Sequence, residues 1–302
     1  MQDLIDFPTE MIKTCWFATL RDIGYSTELS VTNPLPCQGI PGQSLKLQLR
    51  LFKNSYPVGE NAIPIGTLDP GARINIDIEQ ILDNHSIQGD VVGVLNEIPS
   101  NMSSEALTQI SLSELRNWTS ISDEFVGYRH QKSGIKSGVH YQSSPMNDGR
   151  ITSSNSIIMQ SPKIVISDHV DTCLLVFAPS SDLTIEKQIP VHIAVLDQRG
   201  NLVTRTTTEI GLRERRLFSV KEILARANKL EPFVQQGGFG MMVGLAENGN
   251  IVPLSLTIDP SGGMAIDHTL PPPYYVPWWG GDARKSATRE LIQRFFSMSE
   301  HS

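Results

Sequence analysis

Two histidines at matching places in the sequence are the side chains best suited to acid–base chemistry. His140 and His268 each follow an alternating, strand-like segment, and each precedes a proline, Pro145 or Pro271. Histidine has an unperturbed pKa close to neutrality, so it can donate or accept a proton at physiological pH. We therefore predict His140 and His268 as catalytic acid–base residues. The alternative is structural: each histidine ends a strand and hydrogen-bonds to backbone.

The segment with the most unusual composition runs from 271 to 281 and reads PPPYYVPWWGG. Its prolines favour a stiff, extended backbone, which reduces the entropy lost on binding. Its aromatic rings offer flat amphipathic surface for a sugar, another apolar ring or a protein partner. The predicted binding residues are Tyr274, Tyr275, Trp278 and Trp279, with Tyr141 from the matching stretch of the first half. A structural strap that covers the core explains the segment equally well.

The sequence predicts neither a metal nor a cofactor. His169 and Asp171 alternate along an extended stretch and so share a face, which supplies two metal ligands but no visible third. A polar turn between strands explains this stretch better. The glycine-rich stretches 235–240 and 259–263 lack the spacing of phosphate-binding loops and the strand-to-helix context that such loops need.

Composition restricts the partners. The 302 residues have a formal net charge of −7, which argues against a surface for nucleic acid or anionic membrane. No apolar run approaches the roughly 20 residues that span a bilayer. The three cysteines, Cys15, Cys37 and Cys173, are too few for a disulfide framework. We expect a cytoplasmic protein with reduced thiols.

The elements that must position these residues are strands. Leu45, Leu47 and Leu49 alternate with polar residues, and so do Ile74 and Ile76. A period of two places one face on a core and the other in water, as in antiparallel sheets. Turn signals such as DPG at 69–71 separate the strands at hairpin-like intervals. This pattern predicts a mostly β, antiparallel sandwich architecture.

The two halves of the chain resemble each other. Segment 27–34 matches 172–179, segment 47–82 matches 191–224, and segment 91–97 matches 241–247. The spacing between matching segments is nearly constant and becomes shorter only at the two histidines. Five elements in the same order predict an internal duplication, with units at 1–150 and 151–302 related by a pseudo-twofold axis.

Helices are few. Short ones are predicted at 111–118 and 219–229, and the strongest at the C-terminus, where Asp282 caps a helix over 282–298. Every fourth residue of that helix is apolar, which gives it one face that packs against the body or a partner. With exposed sheet edges, that face makes a homodimer possible.

Two functions remain open from the sequence. The first is a non-catalytic binding or assembly module that recognises a saccharide, an apolar small molecule or a protein partner. The second is a metal-independent isomerase, cyclase or lyase that uses His140 and His268 in a cleft between the two repeats. The first is favoured, because no motif specifies a nucleophile, a ligand set or a cofactor.

Overall fold

The computed structural model of the chain divides into two units. Residues Met1–Asp148 with Pro179–Ile185 form the first unit, and Gly149–Ala178 with Glu186–Ser302 form the second. The structure describes residues 13–33, 44–100, 123–141, 156–180, 185–247 and 251–267, together with Leu183, Gly249, Glu290 and Ser297. No helix in these described parts has both the length and the apolar character needed to cross a bilayer.

The described part of the first unit contains eight strands and one α-helix. They are β1 (Lys13–Ala18), β2 (Tyr25–Thr32), β3 (Leu45–Lys53), β4 (Tyr56–Leu68), β5 (Arg73–Asp77), α1 (Ile78–Asn84), β6 (Val92–Pro99), β7 (Asp123–His130) and β8 (Lys136–Tyr141). These strands form two four-stranded antiparallel sheets, in the orders β1-β6-β3-β4 and β5-β2-β7-β8.

The described part of the second unit contains eight strands and two short α-helices. They are β9 (Ser156–Val165), β10 (Asp171–Phe177), β11 (Gln188–Asp197), β12 (Leu202–Gly211), β13 (Arg215–Ser219), α2 (Val220–Arg226), α3 (Leu230–Gln235), β14 (Phe239–Ala246), β15 (Val252–Ile258) and β16 (Met264–Asp267). Its sheets have the orders β9-β14-β11-β12 and β13-β10-β15-β16. Counted within each unit, the strand order of each of these sheets is the same as that of the corresponding sheet of the first unit.

The predicted class, mostly β with antiparallel sheets, is confirmed. The helix predicted at 219–229 is observed as α2, which Ser219 caps, and α3 begins directly after it at Leu230. The helix predicted at 111–118 lies outside the described residues. Of the helix predicted at 282–298, only Glu290 and Ser297 are described, and both are helical.

Strand pairing agrees with two of the matches seen in the sequence. Glu28 of β2 pairs with Asp77 of β5, and Cys173 of β10 pairs with Ser219 of β13. The sequence matches relate Glu28 to Cys173 and Asp77 to Ser219. Corresponding strands of the two units therefore have the same register in this sheet.

A third match is corrected by the pairing. Leu49 pairs with Leu95, and its counterpart Ile193 pairs with Gly244. Leu95 therefore corresponds to Gly244, whereas the alignment of 91–97 with 241–247 places it against Leu245 and is wrong by one residue. Such a shift exchanges the two faces of a strand. The error arose because β6 and β14 carry apolar residues on both faces, so that alternation does not mark the register.

Buried hydrogen bonds join the two sheets within each unit. In the first unit, the hydroxyl of Tyr128 on β7 donates to the carbonyl of Ala18 on β1 over 2.9 Å. Tyr128 is fully buried, and burial raises the pKa of its phenol. In the second unit, the hydroxyl of Thr172 on β10 accepts a hydrogen bond from the backbone of Val165 on β9. Each bond satisfies a polar group that burial would otherwise leave without a partner.

Close packing between β1 and β6 yields a stability test. Gly93 pairs with the buried Phe17, and a Cβ at position 93 would lie 2.1 Å from the Phe17 ring. We expect Gly93→Ala to lower the free energy of unfolding by about 1–3 kcal/mol, as overpacking does. Urea unfolding measures the change. Lys46→Ala, at an exposed position of the neighbouring β3, should change it by less than about 0.5 kcal/mol. Equal effects of the two substitutions would contradict this packing.

Candidate ligand-binding site

The predicted site residues are described only in part. His140 and Tyr141 end β8, where their backbones pair with Phe125 and Glu124 of β7. The remaining predicted residues lie outside the described residues: His268, Tyr274, Tyr275, Trp278 and Trp279. Their roles in catalysis or binding therefore stay predictions.

The last strands of the two units are paired in the same register. In the first unit, Gly127 pairs with Gly138, and in the second Leu256 pairs with Ile266. Gly127 and Leu256 themselves pair with corresponding residues of β2 and β10. Gly138 therefore corresponds to Ile266. The described residues end at Asp267, so the match of His140 with His268 stays a prediction.

The polar run that contains His169 is part of a helix cap. Asp171 accepts hydrogen bonds from the hydroxyl of Ser219 at 2.5 Å and from the backbone of Lys221 at 3.2 Å. Its carboxylate therefore holds the first turn of α2. His169 lies in the turn before β10, where its backbone donates to Ser167. The sequence-based alternative, a polar turn, agrees with these contacts.

A cleft of about 290 Å³ lies in the first unit between β4, β5 and α1. Its walls combine apolar side chains with amides, one carboxylate and one imidazole. The lining residues are Ile63, Pro64, Ile65, Ile74, Asn75, Ile76, Asp77, Gln80, Ile81, Asn84 and His85. An apolar cleft with a few converging polar groups is the usual form of a small-molecule site.

Two local features of the chain border the cleft. β4 and β5 are the edge strands of the two sheets of the first unit. The pairing of β4 with β3 shifts register twice, near Pro64 and near Val58, and such irregularities bend an edge strand. At the end of β5, the Asp77 carboxylate accepts a hydrogen bond from the Gln80 backbone over 3.1 Å and starts α1. The cleft therefore lies where a bent edge strand faces a strand-to-helix turn.

The second unit differs at the corresponding place. There α2 packs against both β12 and β13, the counterparts of β4 and β5, and against β10 and α3. In the first unit, α1 packs mainly against β2. The common strand order therefore does not determine how the helix packs at this place.

A polar surface adjoins the cleft on the β5-β2-β7-β8 sheet. Asn75, Ser30 and Phe125 lie side by side in register on three neighbouring strands. The Ser30 hydroxyl hydrogen-bonds to the Asn75 side chain and accepts from the Arg73 guanidinium over 2.9 Å. Lys136 lies 3.9 Å from the Glu28 carboxylate on the same surface. We call the surface formed by Glu28, Ser30, Arg73, Asn75 and Phe125 the polar face.

In the second unit, two of the positions that match the polar face are apolar and fully buried. Ser30 corresponds to Leu175 and Phe125 to Leu254, and both leucines have no exposed surface. Sequence reasoning missed the cleft and the polar face. A usable signal was present, because Ser26, Glu28, Ser30 and Thr32 align with Asp171, Cys173, Leu175 and Phe177. In three of these four pairs, a polar residue of the first unit aligns with a less polar residue of the second.

Cys173 is unsuited to nucleophilic chemistry. Burial, aided by the nearby Asp171 carboxylate, raises the pKa of the Cys173 thiol to about 12. The reactive form of cysteine is the thiolate, so the group is protonated and unreactive near neutral pH. In a Cys37→Ser variant at pH 8, we expect iodoacetamide to label Cys173 only after unfolding. Mass spectrometry of the native and urea-treated protein tests this, and rapid native labelling would contradict the burial.

The hydrogen bond that starts α1 gives a second test. Asp77→Ala removes the acceptor for the first turn of α1 and should lower the free energy of unfolding by about 1 kcal/mol. Asp77→Asn retains a capping oxygen and should preserve stability. Ser219→Ala removes the equivalent cap of α2 and should cost a similar amount. Urea unfolding of the three variants measures these effects, and equal stability of Asp77→Ala and Asp77→Asn would exclude a capping role.

Comparison with known proteins identifies no family. No protein-family model and no curated protein matches the chain. Among solved structures, a β-glucuronidase of glycoside hydrolase family 2 aligns at 9% identity and a TM-score of 0.17 over 88% of this chain. Bacteroides uniformis β-glucuronidase aligns at 9% identity and 0.16 over 85%. The Pleurotus ostreatus lectin aligns at 8% identity and 0.17 over 87% of this chain and 83% of its own.

The chain spans only about a quarter of the length of the glucuronidases, covering 24% and 26% of them. TM-scores this low establish no common fold. These alignments therefore carry no argument about what this chain does.

Proposed function

We propose that the protein is a non-catalytic binding module and that its first unit binds a saccharide in the cleft between β4, β5 and α1. One observation carries the proposal: amide side chains and isoleucines line an open cleft in the first unit. In the second unit, by contrast, helix α2 packs directly against the strands that correspond to β4 and β5.

The chemistry of the lining suits hydroxyl groups. Asn75, Gln80 and Asn84 each present an amide that can donate and accept hydrogen bonds, as sugar hydroxyls also do. All three side chains belong to exposed residues, so they are accessible to a ligand. The isoleucines of β4 and β5 provide apolar surface against which the C–H face of a sugar ring can pack. A ligand with both hydroxyl and C–H surface matches this lining better than a purely apolar one.

The same side chains favour binding over catalysis. Amides do not ionise, so they neither donate nor remove a proton during a reaction. The two ionisable groups of the cleft are Asp77 and His85, and the Asp77 carboxylate already caps α1. The enzyme hypothesis, with His140 and His268 as acid and base, stays a prediction, because His268 lies outside the described residues.

We also infer that the two units arose by internal duplication. Eight strands in the same order, the same helix after the fifth strand and matching registers support this. Duplication gives one copy the freedom to change its surface while the other retains a buried one. The first unit, with the open cleft and the polar face, is then the copy that binds the ligand.

The proposal is tested by sugar binding to α1 variants. Glucose, galactose, mannose and N-acetylglucosamine are titrated calorimetrically into the full chain, and the strongest binder is carried forward. Asn84→Ala and Gln80→Ala should each weaken its affinity about twofold to tenfold, the worth of one hydrogen bond. Because both residues are exposed on α1, we expect little change in stability.

Matched controls come from α2. Arg226 and Glu222 occupy the positions of Asn84 and Gln80 in the second unit, and their alanine variants should leave binding unchanged. Binding by none of the four sugars, or equal losses in the α1 and α2 variants, would overturn the proposal.

A further inference from the structure

Phe125 presents an aromatic ring to solvent at an unusual place. The residue lies in the middle of the polar face and is 40% exposed. Its ring occupies the space above Gly138, where a Cβ would lie 2.1 Å from the ring carbon Cζ. Gly127 lies beside the same ring, with a Cβ position 3.4 Å away. Two glycines directly opposite each other on β7 and β8 therefore seat the ring against the sheet.

The position of this ring relative to the cleft is fixed by strand pairing. Asn75 lines the cleft and pairs with Ser30, which in turn pairs with Phe125. Neighbouring strands are about 4.8 Å apart, so Asn75 and Phe125 are separated by roughly 10 Å across the sheet. That distance exceeds the length of one sugar ring. A ligand that reaches both must contain more than one.

Polar groups bridge the interval. Ser30 accepts from Arg73 and hydrogen-bonds to Asn75, which holds the Asn75 side chain beside the cleft. Charges of both signs lie on this face, where Lys136 is 3.9 Å from the Glu28 carboxylate and the Arg73 guanidinium donates to Ser30. Mixed and paired charges suit neutral hydroxyl groups better than a ligand with a formal charge of its own.

The seat for the ring is absent from the second unit. Gly127 and Gly138 correspond to Leu256 and Ile266, and Phe125 corresponds to the buried Leu254. The strand order therefore does not require an exposed phenylalanine that packs over two glycines. Exposure of an apolar ring to water is unfavourable in free energy, and contact with an apolar surface of a ligand removes this unfavourable term.

We infer that the ligand of the cleft is an oligosaccharide that continues across β2 and stacks a second ring on Phe125. This inference rests on the proposed function and adds a second subsite to it. Aromatic side chains in contact with a ligand ring contribute flat apolar surface with few rotatable bonds to immobilise. The protein should therefore prefer oligosaccharides to the single sugar.

Chain-length dependence tests this subsite. The full chain is titrated with the sugar that binds best and with its disaccharide, trisaccharide and tetrasaccharide homo-oligomers. We expect the disaccharide or trisaccharide to bind about threefold to tenfold more tightly than the single sugar, as one aromatic stacking contact allows. Phe125→Ala should reduce the affinity for the oligomer to that for the single sugar. The affinity for the single sugar should not change.

Two further variants make the test specific. Gly138→Ala keeps the phenyl ring but fills its seat, so it should reduce oligomer binding as Phe125→Ala does. Phe239→Ala removes a more exposed phenylalanine, 58% exposed, from the second unit and should have no effect. Circular dichroism and urea unfolding confirm that each variant is folded.

The outcomes separate the two proposals. If the single sugar binds but its oligomers bind no more tightly, the second subsite is wrong while the cleft proposal stands. The same follows if Phe125→Ala changes neither the affinity for the single sugar nor the affinity for the oligomer. If no sugar of any length binds, both are wrong. An equal loss of binding in Phe125→Ala and Phe239→Ala also overturns the second subsite.

Discussion

The hydrogen bond between the Asp77 carboxylate and the Gln80 backbone sets the geometry on which the cleft depends. It ends an edge strand and starts a helix within one residue. The second unit makes the same transition with Ser219 and the Glu222 backbone, also over 3.1 Å. The caps are equivalent, yet the helices pack differently: α2 rests on β10, β12 and β13, whereas α1 rests mainly on β2. The two units therefore share the hydrogen bond that starts the helix, and they differ in the strands against which that helix packs.

β2 and β10 resemble each other more on one face than on the other. Leu29 and Val31 on the buried face of β2 correspond to Leu174 and Val176, and all four are buried. On the other face, Ser30 corresponds to Leu175. Because alternate residues of a strand point to opposite sides, one face can change completely while the other keeps its packing. Two units of equal strand order can therefore differ at one face of a strand, where the first has Ser30 and the second has Leu175, and agree at the other.

Much of the fold could be predicted from the sequence, because alternation and turn signals are local. The helix predicted at 219–229 is observed as α2 over Val220–Arg226, and the structure shows that Ser219 caps it. The match of His140 with His268 stays a prediction, because the described part of β16 ends at Asp267. The predicted register of β14 was wrong by one residue, because both of its faces are apolar and its sequence lacks an alternation of polar and apolar residues.

The cleft could not be predicted in the same way. It is bounded by three elements, β4, β5 and α1, which come together only in the folded chain. Phe125 lies in the segment DEFVGYRH, which has the composition of an ordinary strand. Its importance depends on Gly138, which is a neighbour only after β7 and β8 pair. The site that sequence composition favoured, at 271–281, lies outside the described residues.

An open cleft lowers the stability of the unit that contains it. Ile65, Ile74 and Ile81 line the cleft and remain partly exposed to water. Each Å² of apolar surface left uncovered forgoes about 25 cal/mol of stabilisation. A ligand that packs against these isoleucines recovers part of that loss, and binding to the folded state alone stabilises it. The exposed isoleucines and the amides beside them are therefore consistent with one role, since the apolar side chains supply a driving force for binding and the polar ones restrict what can bind.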